Sequence, residues 1–426
     1  MSVTKGMDML KDVLLVQKRE LERRLQERYV RREFSVKTLK DNDLIKVVIG
    51  PRRAGKSFFA VHLVEQFGSY GYVNFDDERL AGAVDCDDLL AALNVVYRNP
   101  RHLLLDEIQN LNQWELFVNR LQRQGYRLVV TGSNSNLLST ELSTHLTGRH
   151  VPILLFPFSF NEYLQVSAAE ASLTTSEQKE LLNRYGQEGG FPEPLVKDLD
   201  RRDYLRTLVH SVLYKDIVKR FKVRAIQGME DLANYLFSNI AAEYSFQNLS
   251  RVTRCRSTHT VEKYIRYLEE AFLFFSIRRF SWKVREQAAF NKKIYAVDNG
   301  FATALGFRFS ANSGRLYENL VAISLRKKEL NGQASIFFWK NPQQEEVDFV
   351  IKEGLKITQL IQVCWNADDP KTEAREIRAL VKASEELKCR NLMILTEDTE
   401  KEKDVEWFGT RRKVQFVPLW KWLVAQ

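Results

Sequence analysis

Eight consecutive residues, Gly50-Pro51-Arg52-Arg53-Ala54-Gly55-Lys56-Ser57, fit the phosphate-gripping pattern G-x-x-x-x-G-K-[ST]. Glycine at both ends lets backbone N–H groups turn inward around phosphate oxygens. A helix starting at the end of the run adds its positive end to the same point. Lys56 is then expected to reach the β- and γ-phosphates, and the Ser57 hydroxyl to ligate Mg²⁺. Further along, Leu103-Leu104-Leu105 runs into the acids Asp106 and Glu107. Side chains at a strand end alternate between faces, so Asp106 can sit by the metal while Glu107 positions water. Thr131-Gly132-Ser133-Asn134 closes another apolar run, where Ser133 or Asn134 can contact the γ-phosphate or the attacking water. Small polar residues of this kind also simply build turns. Together these residues predict binding and hydrolysis of ATP, with Mg²⁺.

The elements that position them alternate in type. Short apolar strands are expected at residues 44–49, 72–75, 102–106, 127–131 and 151–155, separated by helix-like segments. That alternation predicts a parallel sheet wrapped by helices. Before it, residues 8–34 read as one long charged helix, with Leu10, Val13, Leu14, Gln17, Leu21 and Leu25 near helical spacing, packed on the next domain. Beyond about residue 160 the strand signal stops. Residues 177–185 and 203–221 look helical, with the breaker cluster Gly189-Gly190-Phe191-Pro192 between them, and a helical stretch follows over 229–270. The last third is mixed, with strands expected at 336–339, 346–351, 358–364 and 391–395.

Two further constellations stand apart. Arg251, Arg254 and Arg256 precede His259, Lys263 and Arg266, which fall about one turn apart, and Arg278, Arg279 and Lys283 follow. Such clustering suits phosphate contact and makes DNA the expected partner, although a protein-docking helix gives a similar pattern. In the last third, Glu318 lies on a helix-like segment and Asp348 in a strand, with Gln362 and Cys364 in the next strand. Residues 293–297 read as a strand ending in the turn Asp298-Asn299-Gly300, to which no chemistry is assigned.

The P-loop, the Asp106-Glu107 pair and the Thr131 to Asn134 cluster resemble AAA+ ATPases, specifically the prokaryotic set with a C-terminal nuclease-like domain. Gln109, Trp114, Leu146-Thr147-Gly148-Arg149 and Pro157-Phe158-Ser159-Phe160-Asn161-Glu162 share the resemblance. It implies that Arg149 reaches the γ-phosphate of a neighbouring subunit, and hence a homo-oligomer; a structural salt bridge is the alternative for Arg149. Gly189-Gly190-Phe191-Pro192 resembles a lid-domain turn. Residues 246–282 resemble a winged helix-turn-helix, with Ser257 or Thr258 capping the second helix. The C-terminal part resembles a restriction-endonuclease-like domain. Active members place a helix acid, a strand Asp and an E-x-K triplet around a divalent metal. Here Glu318 and Asp348 stand in the first two places, but Gln362 and Cys364 replace Glu and Lys, so cleavage is expected to be impaired or absent unless Lys352 or Lys356 substitutes.

The expected fold is therefore α/β: a charged helix (1–33), a P-loop AAA+ parallel sheet (34–160), a helical lid (161–225), a winged helix-turn-helix (226–285) and a degenerate restriction-endonuclease-like domain (286–426). The expected function is an ATP-hydrolysing, DNA-associated motor or remodeller. A nucleotide switch acting on a protein partner and an ATP-gated endonuclease are the alternatives. The 426 residues exceed one hydrophobic core. A net charge of +9 favours polyanions without naming one. No apolar run approaches the ~18 residues of a membrane span, and the first residues lack the apolar core of a secretory signal, so no membrane association and a cytoplasmic location are expected. Cys86, Cys255, Cys364 and Cys389 form no C-x-x-C pair, which argues against zinc or redox chemistry.

Overall fold

The computed structural model describes residues 2–34, 42–80, 84–133, 148–167, 173–255, 257–306, 313–365, 369–407 and 409–426. The chain divides into two compact units, Met1–Phe156 and Pro157–Gln426.

In the first unit five strands among the described residues, β1 (Ile45–Ile49), β2 (Tyr70–Asn74), β3 (His102–Asp106), β4 (Arg127–Gly132) and β5 (His150–Leu154), form a sheet in the order β2-β3-β4-β1-β5. Every pairing is parallel. Such a sheet is covered on both faces, which is why Val47 to Ile49 of β1 and Leu103 to Leu105 of β3 read as apolar runs and not as alternation. The C-terminal ends share one edge, so the P-loop after β1, Asp106-Glu107 after β3 and Ser133 after β4 emerge together. Helices α2 (Lys56–Glu65), α3 (Cys86–Tyr97) and α4 (Trp114–Arg123) connect the strands. The α3 start is fixed by Asp85, whose side chain accepts from the Asp87 and Asp88 N–H groups.

The N-terminal helix α1 is Ser2–Arg24, shorter than the expected 8–34. Leu10, Val13, Leu14 and Leu21 are buried as its spacing indicates. Gln17, in the same stripe, is buried for a polar reason: its amide donates to Asn74 O and Asp77 Oδ2 and accepts from Asn74 N, clamping the end of β2. Arg32 is buried, and its guanidinium donates to Ala54 O and Phe156 O. A buried guanidinium needs such acceptors, and meeting them holds Arg32 against the P-loop.

The second unit begins with helices α5 (Phe160–Ser167), α6 (Thr175–Glu188) and α7 (Arg201–Ser211), the last running on as a π-helix over Val212–Lys219. α6 opens with a capping box between Thr174 and Glu177 and ends at Gly189. Gly189 has φ +77°, and a Cβ there would lie 1.8 Å from Asp298 Oδ1. Next come α8 (Ile226–Ser238), β6 (Ala242–Tyr244), α9 (Phe246–Val252), α10 (Thr258–Glu270), β7 (Phe274–Arg279) and β8 (Lys292–Ala296). Ser257 caps α10, accepting from Thr260 N–H. The remainder is α11 (Asn299–Leu305), α12 (Ser313–Leu330), β9 (Ser335–Lys340), β10 (Glu346–Glu353), β11 (Lys356–Val363), α13 (Pro370–Glu386), β12 (Leu392–Thr396), β13 (Lys401–Trp407), β14 (Thr410–Pro418) and α14 (Leu419–Val424). Strands β6 to β14 make one mixed sheet, β13-β14-β12-β11-β10-β9-β7-β8-β6. β7 pairs antiparallel with β8 and parallel with β9, so hydrogen bonding is continuous across residue 285. Among the described residues, no helix is long and apolar enough to cross a membrane.

Candidate active site

The P-loop is a tight backbone turn with little room to vary. Gly50 has φ +152°, and a Cβ there would stand 2.0 Å from Leu155 O, so only glycine fits. Arg53 and Gly55 also have positive φ, 65° and 89°. Gly55 precedes α2, whose first residues are Lys56 and Ser57. Lys56 is 4% exposed; its Nζ donates to Pro51 O at 2.9 Å and lies 4.0 Å from Glu107 Oε1. Arg52 stands 4.0 Å from Asp76 at the end of β2. Pro51 and Ala54 complete the turn, with Ala54 N donating to Pro51 O.

Asp106 is buried at the end of β3 and acts as the acceptor of the site. Ser57 Oγ donates to its Oδ1 at 2.9 Å, Thr131 Oγ1 reaches the same oxygen, and Tyr72 Oη donates to Oδ2 at 3.2 Å. Burial, then the neighbouring Glu107, push the Asp106 carboxyl above its ordinary range, against those three donors. Glu107 goes the other way. Burial alone would raise it, but Lys56, Gln109, Ser133 and Arg52 together outweigh that and hold it below the ordinary range. Its backbone is left-handed, φ 51°, a conformation that costs a non-glycine residue about 1–3 kcal/mol. Thr131 Oγ1 accepts the Glu107 N–H at 2.9 Å and so holds that turn. Ser133 Oγ and the Gln109 amide fix the carboxylate.

The two adjacent acids are thus shifted in opposite directions, Asp106 up and Glu107 down. A serine hydroxyl and one carboxylate oxygen 2.9 Å apart form a hard oxygen donor pair of the kind that holds Mg²⁺ when nucleotide phosphates supply further oxygens. The sequence singled out Ser133; it did not single out Thr131 or the clamping role of Gln109. The signal for both was available as polar side chains at the ends of two adjacent parallel strands. Asn134 lies outside the described residues. Arg149 lies exposed just before β5, with its carbonyl accepting from Ile45 N–H. That is the N-terminal edge of the sheet, opposite the chain's own P-loop.

In the second unit, Arg251, Arg254, His259, Lys263 and Arg266 are all exposed. Arg254 pairs with Asp231 at 3.4 Å and Arg266 with Glu270 at 3.6 Å. Arg256 lies outside the described residues. Glu318 and Asp348 do come together, but around a residue to which the sequence reading gave no chemistry. Lys293 of β8 is buried, its Nζ 2.9 Å from Glu318 Oε1, 3.1 Å from Asp348 Oδ1 and 2.5 Å from Glu346 Oε1. Neither suggested substitute takes that place: Lys352 donates to Gly354 O at the surface, and Lys356 is exposed. Gln362 accepts the Asp348 N–H at 3.1 Å and donates to Glu376 at 2.6 Å, while Cys364 is buried, its thiol pushed up to about 11 chiefly by that burial. Among the described residues, no group of three or more His, Cys, Asp or Glu side chains is arranged to hold a metal ion.

Comparison with known proteins agrees with the first unit's geometry. Residues 42–164 match the AAA domain family, residues 179–313 a Domain of unknown function (DUF8612) and residues 313–422 a Domain of unknown function (DUF4143). Over 409 residues the chain is 32% identical to the uncharacterized protein MJ1544 of Methanocaldococcus jannaschii, covering 92% of this chain and 90% of that protein. It is 28% identical over 334 residues to an uncharacterized protein of Haemophilus influenzae, covering 75% and 82%. Among solved structures it is similar to the Walker-type ATPase PABY2304 of Pyrococcus abyssi, at 14% identity and a TM-score of 0.43, over 66% of this chain and 98% of that one. The chain belongs to the same family as the Methanocaldococcus jannaschii protein and carries an AAA-type ATPase domain.

Proposed function

We propose that this chain is a Mg²⁺-dependent ATPase that works as a DNA-associated motor or remodeller and does not cut DNA. The observation that carries the hydrolytic reading is Glu107: left-handed in its backbone, and held by Ser133 and Gln109 beside Lys56. The P-loop N–H groups and Lys56 take the phosphates. Ser57 and Asp106 would hold Mg²⁺, which when bound offsets the charge that develops on the phosphate oxygens. Glu107 orients water and takes its proton. Arg149, exposed at the far edge of the sheet, suits action on a neighbouring copy and not on its own site.

The DNA reading rests on exposed His259, Lys263 and Arg266 on α10, within an order β6-α9-α10-β7, followed by a short helix over Val284–Ala289 and then β8, that fits a winged helix. In the restriction-endonuclease-like part, Lys293 places an ammonium among Glu318, Glu346 and Asp348, where a cleaving site needs a divalent cation. The test is ATP turnover with and without single-stranded, duplex and branched DNA, using Glu107→Gln as the blank. Stimulation by one DNA form supports the motor and names its substrate. Turnover indifferent to every form, with no DNA binding at low salt, would replace it with a switch acting on a protein.

A further inference from the structure

The parallel sheet of the first unit has two functional edges in the making. The P-loop uses the C-terminal one. The N-terminal edge carries a cleft of about 390 Å³ lined by Arg101, Arg123, Arg127, Arg149 and Tyr126, with Asp43 as its acid. Arg101 immediately precedes β3, Arg127 opens β4, Asp43 lies just before β1 and Arg149 immediately precedes β5. These four strands are consecutive neighbours in the sheet. At the usual strand separation the cations therefore form a row roughly 14 Å long. Arg123, the last residue of α4, lies beside the same row.

Little among the described residues neutralises this row. Asp43 pairs with Arg127 at 2.8 Å, but among the described residues Arg101, Arg123 and Arg149 have no acidic partner. The Arg127 Nε is buried without a hydrogen-bond acceptor among the described residues. The positive field is also felt behind the row. Lys46 is held below its ordinary range, by burial first and then by Arg127. His102 is lowered by burial first and also by Arg127, Arg101 and Lys46.

We propose that this cleft is a second phosphate-binding surface of the ATPase unit and that its ligand is the backbone of duplex DNA. A row of this length suits a polyanion better than a single phosphate group, since duplex DNA carries a charge about every 1.7 Å of its axis. An acidic protein fits less well. A stable protein interface is anchored by desolvated apolar side chains, and among the described residues none of the exposed large hydrophobics lines the cleft. The edge lies across the sheet from the P-loop, roughly 16 Å away along the five residues of β1, so DNA and nucleotide can be held together. The proposal rests on DNA being the partner, but it assigns a site separate from α10.

The experiment compares three full-length proteins by fluorescence anisotropy of a short labelled duplex across a salt series. These are the wild type, Arg101→Glu with Arg123→Glu, and Lys263→Glu with Arg266→Glu. Arg149 is left intact, so any role on a neighbouring copy is untouched. The row variant should bind at least about tenfold more weakly and lose about two from the slope of log affinity against log salt, roughly one for each phosphate contact removed. Unchanged affinity and slope in the row variant, with the α10 variant impaired, would overturn the row and leave the DNA reading standing. No binding by the wild type at low salt would overturn both. Row-dependent binding of polyglutamate in place of DNA would overturn the choice of ligand. Arg101→Gln with Arg123→Gln, checked by melting temperature, separates lost contacts from lost folding and should show a smaller shift in the same direction.

Discussion

Ser133 Oγ lies 2.8 and 3.0 Å from the two carboxylate oxygens of Glu107, so one hydroxyl at the end of β4 steadies the base carried after β3. Ser133→Ala removes that contact but leaves Gln109 and Lys56 in place. One hydrogen bond to a charged group is worth about 1.5 kcal/mol, which is roughly tenfold in rate when it acts on the transition state. The expected result is kcat lower by about tenfold with KM nearly unchanged, measured by steady-state ATP turnover. An unaltered kcat would mean that this serine only shapes the turn.

Arg149 and Glu107 occupy opposite edges of one sheet, a placement that suits sites shared between copies. Arg149→Ala and Glu107→Gln proteins should each be nearly inactive alone. Mixed, they should regain part of the wild-type turnover, because some sites then combine an intact Glu107 with an intact Arg149 from the neighbour. No recovery across mixing ratios, with subunit exchange shown by labelled protein, would assign Arg149 to another task.

Lys293 holds together three acids that would otherwise repel one another. Lys293→Met should destabilise the second unit by about 3–5 kcal/mol, the usual cost of removing one partner from a buried ionic group. The loss should depend on pH. Burial first, then Asp348, push Glu318 up to about 7. Asp348 is also raised, chiefly by burial. A group raised in the folded state stabilises most when protonated, and that contribution is lost as pH rises through the folded value. Thermal unfolding of Lys293→Met should therefore worsen from pH 5 to pH 8 more steeply than that of the wild type. Parallel pH curves would show that the ammonium does not govern these carboxylates.

How far the sequence could be read depended on where each signal was stored. The P-loop and Asp106-Glu107 were legible because their chemistry requires fixed spacing and a strand-end context, both local. The five strands of the first sheet were found within about two residues because parallel, doubly covered strands are written as apolar runs. The burial of Arg32 was not foreseen because its acceptors, Ala54 O and Phe156 O, are distant in sequence. Lys293 was missed for the same reason: Glu318, Glu346 and Asp348 meet it through pairing of β8 in a sheet whose order no local pattern specifies. Thr131 sat in plain view within the polar cluster, but its bond to the Glu107 N–H needs β3 and β4 to be neighbours.

Asp298 gives the last expectation. It accepts from Gly190 N–H at 2.7 Å and Gly300 N–H at 2.8 Å, tying the turn after α6 to the start of α11. Burial pushes its carboxyl up to about 7, against those two donors. The unfolded chain would titrate near 3.9, so between about pH 4 and 7 the folded state holds a proton that the unfolded state has released. Stability from this residue is thus full below about pH 4 and falls as pH rises to about 7, by about 1.4 kcal/mol per unit at most. Asp298→Asn keeps the size and one acceptor, loses the titration, and leaves one buried N–H unmatched at a cost of about 1–3 kcal/mol. Urea unfolding should find the variant well below the wild type at pH 5 and closer to it at pH 8, because only the wild type loses stability over that interval. A gap that stays constant would show that Asp298 keeps the same charge across the range, and that the link between the two turns is held by hydrogen bonding alone.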